Sequence, residues 1–223
     1  MNEGCYTPVE IIFRKGSLLD PTPPAACGGR VVSVTAVCEA VIDALSKAQP
    51  KNATAASSVI HPYTLAGVGT TPWMFLSYEY GGIGARAEAN GPDATGAFFL
   101  GGRNTVPQIE SLEANYPVRF EAQRLIPESG GAGRTQGGRG IETRIVLLED
   151  AELSVRSERV RHAPRGRAGG EDGLAGTQVV EEVAGGQRAV PAKVANYPVH
   201  AGETFVLKTS GGGGLGPTPE KDA

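Results

Sequence analysis

The chain is poor in cysteine, histidine and tryptophan, with three, three and one in 223 residues. Cys5, Cys27 and Cys38 are an odd set without C-x-x-C spacing. That pattern lacks a zinc-ligand signature and does not suit a disulfide framework, so thiols in a reducing cytoplasm are expected. His61, His162 and His200 stand far apart, at no paired ligand spacing, and no metal site is assigned to this chain. A basic excess is also missing. The net charge of −3 gives no basic face for nucleic acid. No apolar run approaches the roughly 20 residues that span a bilayer, so no membrane segment is expected. The first residues lack the charged and apolar regions of a signal peptide.

Several catalytic and nucleotide signatures are absent as well. There is no G-x-x-x-x-G-K-[ST] phosphate loop and no G-x-S-x-G nucleophile elbow. Residues 82–87, GIGARA, fit the dinucleotide fingerprint loosely. That fingerprint must open a helix, and the continuation EANGPD breaks one within a turn.

Glycine is what the chain has in quantity, 32 residues, with 16 prolines beside them. Two clusters stand out: YEYGGIGAR at residues 78–86 and ESGGAGRTQGGRG at residues 128–140. Glycine costs backbone entropy, so a fold keeps such clusters where it needs positive φ or close approach. Arginine beside them offers a planar fork of donors for carboxylate or phosphate. The glycines read equally well as tight turns between strands.

The periodicity predicts an α+β protein. Residues 9–13 read as a strand. The proline-rich residues 16–29 read as an extended connection, ordered where it lies across something. Residues 34–48 form the clearest helix, capped by Ser33 or Thr35. Val34, Val37, Cys38, Val41, Ile42 and Leu45 fall on one face, expected to be core. Strands are predicted near residues 59–69 and at 73–80, a strand or short helix at 94–100, and a partial helix at 106–116. From residue 118 the texture becomes β-rich, with strand-like runs at 118–125, 142–148, 153–159, 177–183 and 203–209. Such spacing suggests an antiparallel sandwich with many glycine loops. The division is therefore a helix-containing α+β part at 1–117, a β-rich part at 118–217, and a disordered tail at 218–223. The tetrapeptide NYPV occurs at 115–118 and 196–199 and reads as turn chemistry ahead of a strand. Residues 211–216, GGGGLG, read as a flexible tail or a loop in a site.

The polar residues tied to the glycine loops are the candidate substrate-binding set: Glu79, Arg86, Asp93, Asn104, Ser129, Arg134 and Arg139, with Gly81, Gly82, Gly130 and Gly131. Each charge could equally make a structural pair. No catalytic residue is assigned.

Several motifs together resemble the hydantoinase B / 5-oxoprolinase family. They are GSLLDP at 16–21, PPAACGG at 23–29, GGIGAR at 81–86, PQIE at 107–110, NYPVR at 115–119, SGGAGRTQGGRG at 129–140 and the glycine-rich ending at 211–216. The resemblance runs nearly the whole chain and is to the C-terminal half of B-type subunits, including those related to acetone and acetophenone carboxylases. It implies a two-part machine. An A-type partner, holding ATP and Mg, phosphorylates the carbonyl oxygen of a lactam or ketone, and the B-type part completes ring opening or carboxylation. A divalent metal is expected in the N-terminal half of the B-type polypeptide, which this chain lacks. Where many members have a histidine-rich stretch, this chain has GAFFLGG at 96–102. The rival reading is a non-catalytic or degenerate subunit of a carboxylase-like complex.

Overall fold

Short strands with alternating burial build two antiparallel sheets that share one core. The computed structural model describes residues 4, 7, 10–67, 69, 71–95 and 107–219. The elements in order are α1 (Arg30–Ala48), a 3-10 turn at Pro50–Asn52, β1 (Ile60–Gly67), β2 (Trp73–Tyr80) and α2 (Ile109–Asn115). There follow β3 (Val118–Leu125), β4 (Ile141–Leu147), β5 (Ala151–Arg156), β6 (Thr177–Glu181), β7 (Gln187–Ala189), β8 (Lys193–Val199) and β9 (Thr204–Lys208). The first sheet runs β2-β1-β5-β8 and the second β3-β4-β9-β6-β7. Every pairing is antiparallel. The fold class is α+β, as expected. The first sheet takes strands from both sides of residue 117.

The sheets meet through Tyr63, Leu65, Phe75, Leu153 and Val155 on one side and Ile145, Leu147, Phe205 and Leu207 on the other. Tyr63 packs edge-on against Phe205 at 5.5 Å between ring centres. Each such aromatic buries a large apolar area, and the T-shaped pairing adds about 1 kcal/mol. Trp73 lies over Gly67 across the first hairpin, where a Cβ would collide with the indole. A glycine opposite an aromatic is how a strand end seats a large ring.

Four readings from the sequence are corrected. Residues 10–13 form no strand, and Ile11 and Ile12 are 69% and 82% exposed. The helix begins at Arg30, not residue 34, so Ser33 and Thr35 lie inside it. Its N-cap is Gly29 without a side-chain bond, and Thr35 Oγ1 donates to Val31 O at 2.8 Å. NYPV at 196–199 lies inside β8, with Asn196 at φ 53 beside the register shift between β5 and β8. Asparagine tolerates that left-handed backbone better than most residues, so the bulge sits there. Residues 211–215 are wholly buried, neither loose tail nor open loop. Part of the run at 94–100 and residues 220–223 of the tail lie outside the described residues.

That last segment organises a glycine layer beside the sheets. Residues 211–215 run extended, outside any strand of the two sheets, among other such segments. Gly211 N and Gly214 N donate to Leu174 O and Glu171 O, at 3.1 and 2.9 Å. Gly212 N and Leu215 N donate to Gly138 O and Thr135 O, at 2.8 and 2.9 Å, and Gly213 N donates to Ala56 O at 2.8 Å. The partner segment changes at each residue and recurs every third. On the acceptor side, Ser210 O and Gly213 O receive Gly82 N and Ala85 N, again three apart, and Gly212 O receives Gly131 N. A repeat of three is that of the extended left-handed helix, which has no internal hydrogen bonds and offers its backbone groups outward. Here backbone takes the place of water. A Cβ on Gly212, Gly82 or Gly138 would collide with a neighbouring carbonyl. The φ of each lies outside the left-handed range. At these three positions, close approach is the reason for keeping glycine.

Candidate functional site

The sequence-derived residues divide into three environments. Gly81, Gly82, Gly130 and Gly131 belong to the glycine layer. Their open faces are closed by Ser58 and Ser210, by Gly138, by Gly137, and by Glu171 and Gly214. Ser129 lies among them, fully buried. Its Oγ donates to Ile126 O at 2.8 Å and accepts Gly140 N at 2.9 Å, which ties the two ends of its own loop together. These residues hold backbone to backbone.

Arg86, Asp93, Arg134 and Arg139 come together along one edge of the layer, where residues 86–94 are stitched to residues 134–139. Arg86 N–H donates to Ala89 O, and Arg86 Nη2 to Asn90 O at 3.2 Å. Arg134 Nη2 donates to Ala87 O at 3.0 Å, and Thr135 Oγ1 to Arg86 O at 2.7 Å. Gln136 N donates to Asn90 Oδ1 at 2.8 Å. Asp93 accepts the Arg139 backbone N–H at 2.6 Å and two guanidinium bonds, from Nε at 3.0 Å and Nη2 at 2.7 Å. These bonds from Arg139 hold the Asp93 carboxyl below its usual range. Arg139 is thus matched to a carboxylate, whereas Arg86 and Arg134 touch carbonyl oxygens and have no carboxylate partner among the described residues. Arg86 lines a groove of about 940 Å³ with Ile83, Pro92 and Thr95 on one wall and Ile42 and Leu45 of α1 on the other. A guanidinium beside an apolar wall suits a small ligand with one anionic or carbonyl end. Asn104 lies outside the described residues.

Glu79 is neither in the groove nor on that edge. It points inward from β2, opposite His61 in β1, and is 3% exposed. Tyr63 Oη donates to its Oε1 at 3.4 Å. Burial raises the carboxyl to about 7. Burial also holds His61 neutral, its pKa pushed down to about 4. His61 Nε2 lies 3.3 Å from Ser58 Oγ, which receives Ser210 Oγ–H at 2.6 Å. Among the described residues, the buried His61 Nδ1 has no hydrogen-bond partner. This Ser-Ser-His chain was not legible in the sequence, since its members are far apart in number and follow no spacing motif. It resembles an activated hydroxyl in composition, but His61 and Ser210 are fully buried, and the chain lines neither groove described here.

A second groove, about 750 Å³, lies between α1 and residues 157–167. Its charges largely answer one another. Arg159 pairs with Glu39, Arg167 with Asp43 and Lys193 with Glu158. Among the described residues, no three histidine, cysteine, aspartate or glutamate side chains come close enough to hold a metal ion. The resemblance places its divalent metal in the N-terminal part of B-type polypeptides, and the described residues of this chain offer no donor set for one. Also among the described residues, no helix is long and apolar enough to cross a membrane.

Comparison with known proteins fixes the context of this geometry. The family model described as hydantoinase B/oxoprolinase matches residues 1–218. The chain belongs to that family. It is 27% identical to the putative B-type subunit of a D-/L-hydantoinase from Pseudomonas sp. (strain NS671), over 99% of this chain and 37% of that protein. It is 32% identical to 5-oxoprolinase 1 of Arabidopsis thaliana, over 97% of this chain and 16% of that one. Among solved structures, an ATP-dependent caprolactamase from Pseudomonas jessenii aligns with a TM-score of 0.63 at 24% identity, covering 79% of this chain and 33% of that chain. An acetone carboxylase aligns at 0.60 and 15%, covering 70% and 25%. These two likenesses concern the fold. The chain spans less than two fifths of the length of either sequence relative.

Proposed function

We propose that this chain is part of a B-type subunit in an ATP-dependent complex that opens cyclic amides of the hydantoin or 5-oxoproline type. The family match over residues 1–218 carries this reading. An A-type partner holding ATP and Mg would phosphorylate the carbonyl oxygen. Water would then add to the activated carbon, phosphate would leave, and the ring C–N bond would break with a proton from that water going to the nitrogen. A divalent metal, which makes water nucleophilic near neutral pH, would be held by the part of a B-type polypeptide not represented here. In this chain Arg86 would steer the anionic end of substrate or intermediate into the groove it lines. Arg134 holds the backbone of the same loop in place. Asp93 and Arg139 fix the loop from the other end.

The test is co-purification with an A-type subunit, followed by ATP hydrolysis with and without 5-oxoproline or hydantoin. Substrate-stimulated hydrolysis is expected, falling by at least about tenfold in Arg86→Ala, as loss of a charge-assisted contact requires. Hydrolysis indifferent to Arg86→Ala would remove this reading of the groove.

A second reading is a structural subunit of a carboxylase-like complex. It is favoured by Gly81, Gly82, Gly130 and Gly131 being packed on backbone. A stable complex without substrate-stimulated ATP hydrolysis would select it.

A further inference from the structure

α1 is attached to the rest of the chain by its polar face. Glu39 pairs with Arg159 and accepts Ser57 N–H at 2.8 Å, while Asp43 pairs with Arg167. Thr35 and Ser46 are the buried residues of the helix. An amphipathic helix normally buries its apolar stripe. Here the stripe faces outward: Val34 is 50% exposed, Val41 52% and Leu45 62%. Their positions, with half-buried Val37 and Cys38 between them, follow the three- and four-residue steps of a helix-packing seam. The helix carboxylates, Glu39 and Asp43, are engaged on the other face.

We propose that the outward face of α1 is the docking surface for the polypeptide that B-type subunits carry beyond the region represented here. The Pseudomonas subunit is matched over 37% of its length, so more than half of such a chain lies outside the match. That length is ample for an apolar element to cover a helix of 19 residues. The uncharged stripe selects an apolar partner face, joined by burial with few ion pairs. The proposal rests on the reading of the chain as part of a B-type subunit, and it names where the remaining part sits.

The experiment uses the unmatched region of the Pseudomonas subunit, produced as a separate chain, mixed with this protein. Light scattering behind size-exclusion chromatography should find a one-to-one complex. Hydrogen exchange should slow along α1. Val41→Glu and Leu45→Glu should weaken the complex at least tenfold while circular dichroism stays that of the unaltered chain, and Val41→Ser should weaken it less. Absence of a complex overturns the proposal, as does a complex that both glutamate variants leave unchanged. Self-association of this chain that Val41→Glu abolishes also overturns it, and assigns the face to a second copy. The readout is binding alone. A complex that forms through α1, with no substrate-stimulated ATP hydrolysis once an A-type subunit is added, would defeat the enzymatic reading and leave the surface standing.

Discussion

At the scale of single residues, the sharpest consequences lie in side chains that are absent and protons that are displaced. Gly82→Ala would drive a methyl into Gly138 O, and Gly212→Ala one into Ile83 O. Each should cost about 3 kcal/mol or more, since backbone on both sides cannot yield as a side chain can. Gly28→Ala, which meets nothing within 4 Å, is the matched control and should be close to neutral. Urea midpoints of the three variants check this. The buried pair in the first hairpin sets a pH response. Folded Glu79 keeps its proton to about 7, against an ordinary value of 4.5. The folded form then binds more protons across that window, so this residue lowers stability as pH rises. Folded His61 stays neutral down to about 4, against 6.5, so it lowers stability as pH falls. The two slopes oppose one another between 4.5 and 6.5 and should leave the natural chain nearly flat there. Glu79→Gln removes one of them. Its stability should then rise with pH through that interval by up to about 3 kcal/mol. Urea titrations at pH 4.5, 5.5 and 6.5 would reveal the slope, and a flat profile would reject the assignment.

At the scale of elements, α1 is held by partly buried ion pairs and not by its apolar stripe. Glu39→Ala should leave Arg159, whose guanidinium burial already disfavours charge, without its partner. With both side chains about one-fifth exposed, the loss should be about 2 kcal/mol, below that of a fully buried pair. It should appear as faster hydrogen exchange along the helix, with β4 and β9 unchanged. The helix also marks what the sequence could say. Its existence and end at Ala48 were legible from the spacing of Val34, Val41 and Leu45. The direction of that face was not, because periodicity identifies an apolar stripe without naming its cover. β2 and β3 were legible residue for residue, since Trp73–Tyr80 and Val118–Leu125 are bounded by glycine or proline. β7 and β8 were missed. β7 has three residues, and β8 carries Asn196 and Pro198 in a pattern that reads as a turn. Of the site, the glycine clusters single out Arg86, Arg134 and Arg139 as residues, but not which of them pairs with Asp93 and which touches only carbonyl oxygens. The inward place of Glu79 and the companions of His61 depend on strand pairing, which no local pattern encodes.

At the scale of the whole molecule, the chain consists of two cohesive systems of different chemistry. One is the apolar core between the sheets, which draws on strands from residue 60 to residue 208. The other is the glycine layer, which joins residues 55–57, 82–91, 130–138, 164–174 and 210–216 through backbone bonds. Most of these bonds join segments distant in sequence, so the layer should close late in folding. Removal of residues 211–223 deletes the segment on which the others converge. Such a truncation should lose protection at Ala85, Gly131 and Thr135 together, since their N–H groups donate to Gly213 O, Gly212 O and Leu215 O, while the sheet amides of β1 and β5 persist longer, as measured by hydrogen exchange.

The layer also has a genetic consequence. Every single-base change in a glycine codon that alters its meaning installs a Cβ or stops the chain. At Gly82, Gly138 and Gly212 any such Cβ collides with backbone. A gene no longer held to its fold would be expected to lose this layer early, by ordinary drift. An unbroken layer is therefore the mark of a chain that selection still requires to fold.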